Sequence, residues 1–396
     1  MKVAIVQEQI DARRGGAETS VLEMARQLAA LGMEVTLVCA ACEGATDAGV
    51  EIALCPVGAG SKVVHAIRFV AEADRYCHEH DFDIVHAVTP CFSCNVYQPR
   101  GGTYVETVER SIGLATGFWT RLLKRLGRRF NRRQRFLLLV ERGMLNTKRP
   151  PYVAAVSEYV MRQVITAFPR YPKRRLRVVF NGVDLAAPHT GENERWRAET
   201  RRKLGIATDR PVLLFVAHNF KLKGLRELIG ALARVELHEC LAGRESPLLL
   251  IAGRDNPKPY ERQARRAGIA AQVRFLDAVD DLRPFYAAAD ALVHPTWYDP
   301  CSRVVLEALG QGLPAVTTRL NGAAEIMRDG VHGAVVESPR NLAELARAIG
   351  RCLAEELRTA CRAAAPALSG QLSMARHARE LAELYKEIAG EQRKKT

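Results

Sequence analysis

The chain has 396 residues, 48% apolar and 26% charged, and a formal net charge of +14. That length exceeds one ordinary core and suits two domains of about 170 to 200 residues, each able to bury its own. The composition excludes a disordered chain, and no apolar run approaches the roughly 20 residues of a membrane-spanning helix. The opening Met1-Lys2-Val3-Ala4-Ile5-Val6 reads as a strand without signal-peptide anatomy, so a cytoplasmic protein is expected.

In chain order, apolar β-type runs at 3–6, 35–39 and 84–88 alternate with amphipathic helices at 17–31 and 63–78. A long helical stretch is expected over 116–145, then a strand at 152–156 and a helix at 158–168. The second half repeats the alternation: strands at 212–216, 248–252, 273–276, 291–294, 315–317 and 334–336, with helices at 225–235, 260–267, 282–289 and 303–310. Such alternation predicts parallel sheets covered on both faces. Pro169, Pro172 and a basic cluster over 170–177 interrupt it and suggest a seam. The expected fold is α/β, with Rossmann-like domains at 1–170 and 175–368 whose parallel sheets face across a cleft, ligands lying at the carboxyl ends of the strands. A last helix, 372–390, is expected to pack back on the first domain, and 392–396 reads as a frayed basic tail.

The ten cysteines sit mostly in apolar contexts, where a thiol behaves as a small hydrophobe. Two Cys-x-x-Cys pairs, Cys39/Cys42 and Cys91/Cys94, are too far apart in sequence for a zinc ribbon or knuckle, and no metal site is expected. The basic charge is concentrated. Arg121, Lys124, Arg125, Arg128, Arg129, Arg132, Arg133 and Arg135 carry eight positive charges with no acidic residue between them, so a nucleic-acid partner is not expected. With Phe118, Trp119, Leu122, Leu123, Leu126 and Phe130 at helical spacing, the segment fits a helix in a membrane interface, and equally a solvated basic helix packed on its own sheet.

Three loops carry candidate chemistry. Gly15-Gly16-Ala17-Glu18 turns from the first strand into a helix, where a backbone could approach a phosphate; a plain βα turn fits as well. It is not the Gly-x-Gly-x-x-Gly pattern, which counts against a dehydrogenase. Lys221 and Lys223 follow the strand 212–216 and suit a diphosphate or a solvated basic turn. Asp299 and Glu307 flank the start of the helix 303–310. Asp299-Pro300 reads as an N-cap and first-turn proline, with amides near Ser302, Arg303 and Val304 facing outward. An ordinary capped helix with a surface glutamate is the alternative there.

Taken in order, these pieces resemble glycosyltransferase family four, the retaining nucleotide-sugar enzymes of GT-B fold. The resemblance rests also on Ala155-Val156-Ser157-Glu158, Asn181-Gly182-Val183-Asp184, Lys223-Gly224, Tyr286 to Asp290 before Val293-His294-Pro295-Thr296, Gly312-Leu313-Pro314 and Asn321-Gly322-Ala323-Ala324-Glu325. It implies that Glu307 holds the ribose hydroxyls, that Asp299 contacts the sugar, and that Lys223, aided by Lys221, binds the donor diphosphate. Gly15, Gly16 and the amides of Ser302, Arg303 and Val304 would complete the phosphate cradle. Asp299 in place of glutamate, Ser302 in place of glycine and His218 near a usual arginine depart from the pattern. The implied reaction is front-face substitution, with Lys221, Lys223 and Asp299 as the catalytic set and no cofactor or metal. The insertion between Asn95 and Met144 is similar to that of lipopolysaccharide core glucosyltransferases. That implies a UDP-sugar donor, a lipid-linked glycan acceptor, and attachment to an anionic inner-membrane surface through Trp119, Arg121, Lys124, Arg125, Arg128, Arg129, Arg132 and Arg133. A soluble glycan acceptor, or a non-catalytic binding protein on the same fold, are the alternatives.

Overall fold

Apolar runs with no polar face, such as 212–216 and 248–252, become strands buried on both sides, which parallel sheets require. The computed structural model describes residues 1–11, 16–43, 49–107, 131–184 and 191–393. The chain divides into two units, Met1–Asp184 with Ser373–Thr396, and Leu185–Leu372.

The first unit contains β1 (Lys2–Val6), β2 (Gln9–Asp11), α1 (Gly16–Ala30), β3 (Glu34–Cys39), β4 (Ala41–Glu43), β5 (Val50–Leu54), α2 (Lys62–Glu79), β6 (Ile84–Ala87), β7 (Val96–Tyr97), α3 (Arg132–Leu145), β8 (Tyr152–Ala155), α4 (Glu158–Ala167) and β9 (Leu176–Val178). Seven of these strands form one sheet in the order β5-β3-β1-β6-β7-β8-β9, and β2 pairs with β4 apart from it. All its pairings are parallel; Val3 lies opposite Val35 on one side and Ile84 on the other. The period of two then sorts the side chains. Val3 and Ile5 face α1, while Ala4 and Val6 share a core with Phe69 of α2 and Val164 of α4.

In the second unit follow α5 (Glu192–Lys203), β10 (Val212–Val216), α6 (Leu225–Leu232), α7 (Val235–Leu241), β11 (Leu248–Ala252), α8 (Lys258–Arg266), β12 (Val273–Phe275), α9 (Arg283–Ala288), β13 (Ala291–His294), α10 (Arg303–Gly310), β14 (Ala315–Thr318), β15 (Gly333–Val336), α11 (Leu342–Cys352) and α12 (Glu355–Leu372). Its sheet order, β12-β11-β10-β13-β14-β15, is that of a doubly wound fold, reversing between β10 and β13.

α13 (Met374–Arg393) returns to the first unit. Met374, Ala378, Leu381, Tyr385 and Ile388 recur at helical spacing and bury against Val21, Leu28 and the β1 side chains. Gly182 permits the close approach: a Cβ there would stand 2.8 Å from the Met374 Cα. His86 Nδ1 pairs with the Tyr385 hydroxyl at 2.6 Å, and burial holds that imidazole down to about 3. His86 thus serves as a clasp for α13.

Two expectations are corrected. The 170–177 cluster is no seam: it contains a short 3-10 turn and β9, which pairs with β8 at the edge of the first sheet. The last helix, expected over 372–390, is found at Met374–Arg393, and Ser373, which bridges Val183, separates it from α12. A continuous helix over 116–145 is also interrupted. Asn131, at φ −81 and ψ 74, caps α3 by accepting the Gln134 N–H, so a helix starts at Arg132. Trp119, Arg121, Lys124, Arg125, Arg128 and Arg129 lie outside the described residues. None of the ten cysteines forms a disulfide.

Candidate active site

β10 and β13 are neighbours at the reversal of strand order, so the loops leaving their carboxyl ends diverge and open a crevice. After β10, residues 217–224 form a turn-rich loop in which Asn219 Oδ1 accepts the Leu222 N–H at 2.9 Å. Gly224 ends it at φ +80, where a Cβ would stand 2.1 Å from the Pro295 carbonyl oxygen. Only glycine lets this loop lie against the segment that follows β13.

That contact brings charge together. Lys223 Nζ donates to Asp299 Oδ2 at 2.5 Å and stands 3.4 Å from the Tyr298 carbonyl oxygen. Oδ1 of the same carboxylate accepts the Cys301 N–H at 3.2 Å. Asp299 is 9% exposed. Burial, the largest single influence, would raise its pKa, but the Lys223 ammonium and the His294 ring together outweigh it, and the carboxyl is held well below its usual range. His294, the last residue of β13, is buried and stacks on Phe215 with centroids 6.1 Å apart. Its Nε2 lies 3.5 Å from Asp299 Oδ2, which is proximity rather than a made hydrogen bond. Among the described residues neither ring nitrogen has a hydrogen-bond partner.

The helix mouth differs in detail from the reading of Asp299 as its cap. Ser302 is the N-cap, at φ −64 and ψ 115, and its side chain makes no capping bond. Asp299 sits upstream and closes a turn on Cys301. Asn321 organises the mouth instead: its Oδ1 accepts the N–H groups of Ser302 at 3.1 Å and Ala323 at 3.0 Å, while Nδ2 donates to Thr317 Oγ1 at 2.9 Å. The Ser302 amide, expected to face a phosphate, is therefore already engaged. The first intrahelical bond runs from the Leu306 N–H to the Ser302 carbonyl, so the Arg303 and Val304 amides lie ahead of the helical ladder.

One turn deeper, Glu307 Oε2 accepts the Tyr286 hydroxyl at 2.9 Å and Oε1 accepts Arg303 Nη2 at 3.2 Å. Its side chain stays 22% exposed. A carboxylate offers about four acceptor positions, so two remain for a ligand. Lys221 is exposed and makes no ion pair among the described residues. His218 is likewise exposed. Gly15 lies outside the described residues, and Gly16 is the exposed first residue of α1 in the other unit.

Thus Lys223 and Asp299 meet directly, as do Arg303 and Glu307, whereas Lys221 stands apart. Sequence reasoning assigned no role to His294, Tyr286 or Asn321, although each lies in a quoted motif. The signal available was their position at a strand end or a helix mouth.

Two doubly wound units, the second with a lysine–carboxylate pair and a helix mouth at its switch point, define a GT-B type glycosyltransferase. The chain carries two glycosyltransferase domains: the family model described as Glycosyltransferase Family 4 matches residues 14–187, and that described as Glycosyl transferases group 1 matches 197–367. It is related to lipopolysaccharide core glycosyltransferases. The lipopolysaccharide glucosyltransferase WaaG of Escherichia coli K12 is 26% identical over 341 residues, covering 86% of this chain and 87% of the relative. The lipopolysaccharide core biosynthesis glycosyltransferase LpsE of Rhizobium meliloti is 35% identical over 166 residues, or 42% of this chain and 44% of that one. In fold, the chain is similar to the crystal structure of WaaG, with TM-score 0.79, 24% identity and coverage of 97% and 99%. It is also similar to Anabaena HepE in complex with UDP-glucose, with TM-score 0.70, 19% identity and coverage of 98% and 100%.

Proposed function

We propose that this protein transfers a hexose, glucose in the first instance, from a UDP-sugar to a hydroxyl of a lipid-linked or lipopolysaccharide-core glycan, with retention at the anomeric carbon. The observation that carries this reading is the Lys223–Asp299 pair at the switch point of a sheet that lies within the glycosyl transferases group 1 match. Lys223, with Lys221 from the same loop, neutralises the donor diphosphate. Asp299 holds sugar hydroxyls. Glu307, fixed by Tyr286 and Arg303, uses its two remaining acceptor positions on the ribose.

Double displacement needs a carboxylate free to attack the anomeric carbon. Both oxygens of Asp299 and both of Glu307 are already engaged, which favours front-face substitution. In that step the bond from anomeric carbon to diphosphate oxygen breaks as the acceptor oxygen bonds on the same face. The leaving oxygen takes the acceptor proton, and Lys223 and the Arg303 and Val304 amides stabilise its charge. Carboxylates committed to lysine, arginine and tyrosine also suit a donor bound without a divalent cation. Turnover of UDP-glucose is expected in excess chelator. Glu307→Gln should raise the donor KM by about tenfold, the worth of a charge-assisted hydrogen bond, with less effect on kcat. Activity that vanishes with chelator and returns with magnesium would remove the metal-free route.

The acceptor side is proposed to meet an anionic membrane surface. Among the described residues no helix is long and apolar enough to cross a membrane. α3 nonetheless exposes Arg132, Arg135 and Arg142 around Leu139, which is 64% exposed, with exposed Phe92 packed against Gly143 of the same helix. Arg133 is diverted to an ion pair with Glu8. Flotation with anionic vesicles should fall about tenfold when Arg132, Arg135 and Arg142 are reversed to glutamate, and should weaken with salt. Equal flotation with neutral vesicles would sink the electrostatic account.

A further inference from the structure

The lysine meant for a diphosphate is already neutralised. Lys223 holds Asp299 at 2.5 Å, and the buried carboxylate has no second cation at hydrogen-bond distance among the described residues. A diphosphate that takes Lys223 leaves Asp299 as an uncompensated buried charge, which is strongly unfavourable. His294 stands beside it with both ring nitrogens unused. Its backbone is fixed by Thr317 Oγ1, which donates to the His294 carbonyl at 2.9 Å, and its ring is fixed by stacking on Phe215 at an interplanar angle of 27°. A neutral imidazole with hydrogen on Nε2 is a ready donor. Closing the present 3.5 Å gap to an ordinary hydrogen bond takes a shift of about 0.7 Å.

We infer that His294 is a positioning residue that receives Asp299 when a diphosphate draws Lys223 away. The carboxylate then stays anchored for the sugar while the lysine serves the phosphate. Donor binding thereby exchanges one partner of Asp299 for another, and the unliganded pair shields both charges until a ligand arrives. The inference rests on the reading of Lys223 as the diphosphate cation.

Titration calorimetry with UDP tests it, because UDP carries the diphosphate without the sugar. His294→Leu should weaken UDP binding about tenfold, the size of one hydrogen bond to a charged group. His294→Gln, whose amide can donate in place of Nε2, should recover most of that loss. Asp299→Asn should tighten UDP binding, since Lys223 is then released, and in that background H294L should have no further effect. Weakening by H294L that persists beside D299N, or no weakening at all, overturns the inference; thermal melts of each variant confirm that the fold is retained. If UDP binds and Lys223→Ala abolishes it while H294L changes nothing, the relay falls and the diphosphate reading stands. If the protein binds none of UDP, ADP and GDP, both fall together.

Discussion

Replacing Lys223 by alanine is expected to lower turnover of the sugar donor by about 10²–10³, the range seen when one preorganised charge-stabilising group is removed. Because the lysine also holds a buried carboxylate, the same change should destabilise the protein. Asp299 and Lys223 side chains are 12% and 20% exposed. Breaking such a pair from one side costs about 3 kcal/mol, reduced where water reaches the survivor. The two effects separate in the double variant Lys223→Ala, Asp299→Asn, which removes the stranded charge. Stability measured by urea denaturation should largely return, whereas turnover should not. Return of both would mean that Lys223 is structural only. The sign with pH follows from Asp299. Its folded pKa is depressed, so the pair's contribution is complete above the ordinary carboxylate range and is lost as pH falls below it.

The second large effect lies in the first unit. Glu141 of α3 is fully buried, accepts the Tyr97 hydroxyl at 2.8 Å and the Tyr104 N–H at 3.0 Å, and makes no ion pair among the described residues. Burial pushes its pKa up to about 7, against the hydrogen bonds that favour the ionised form. Below pH 4.5 folded and unfolded chains both hold this proton; between 4.5 and about 7 only the folded chain does. Stability from this group therefore falls as pH rises through that window, by about 3 kcal/mol in all, and is flat above it. Glu141→Gln should abolish that slope, so the difference in unfolding free energy between variant and wild type grows in favour of the variant from pH 5 to pH 8. Parallel curves for the two proteins over that range would show that Glu141 is not the titrating group.

Much of this was legible in the chain itself. Runs such as Val212 to Val216 announce strands buried on both faces, and their alternation with helices requires parallel sheets. Asn321, by contrast, lies 19 residues from Ser302 and yet occupies its amide, which no local rule could supply. The capping pattern at Asp299-Pro300 misled because proline three residues before the first helical position also fits a turn that merely approaches the helix. The seam misled for a similar reason. Proline and clustered arginines mark an interruption of helix, but β9 at the sheet edge needs only three residues to be a strand.

Local periodicity and the identity of the charged residues were thus determined by sequence alone: two α/β units, and Lys223, Asp299 and Glu307 at loop and helix ends. Pairing was decided by tertiary structure. That Asp299 belongs to Lys223 with His294 in waiting, that Glu307 belongs to Tyr286 and Arg303, and that α13 crosses back to β1 all depend on contacts between segments far apart in the chain. Hydrophobic pattern specifies which face is buried, but a polar side chain takes its partner from whatever the packed strands bring within about 3 Å.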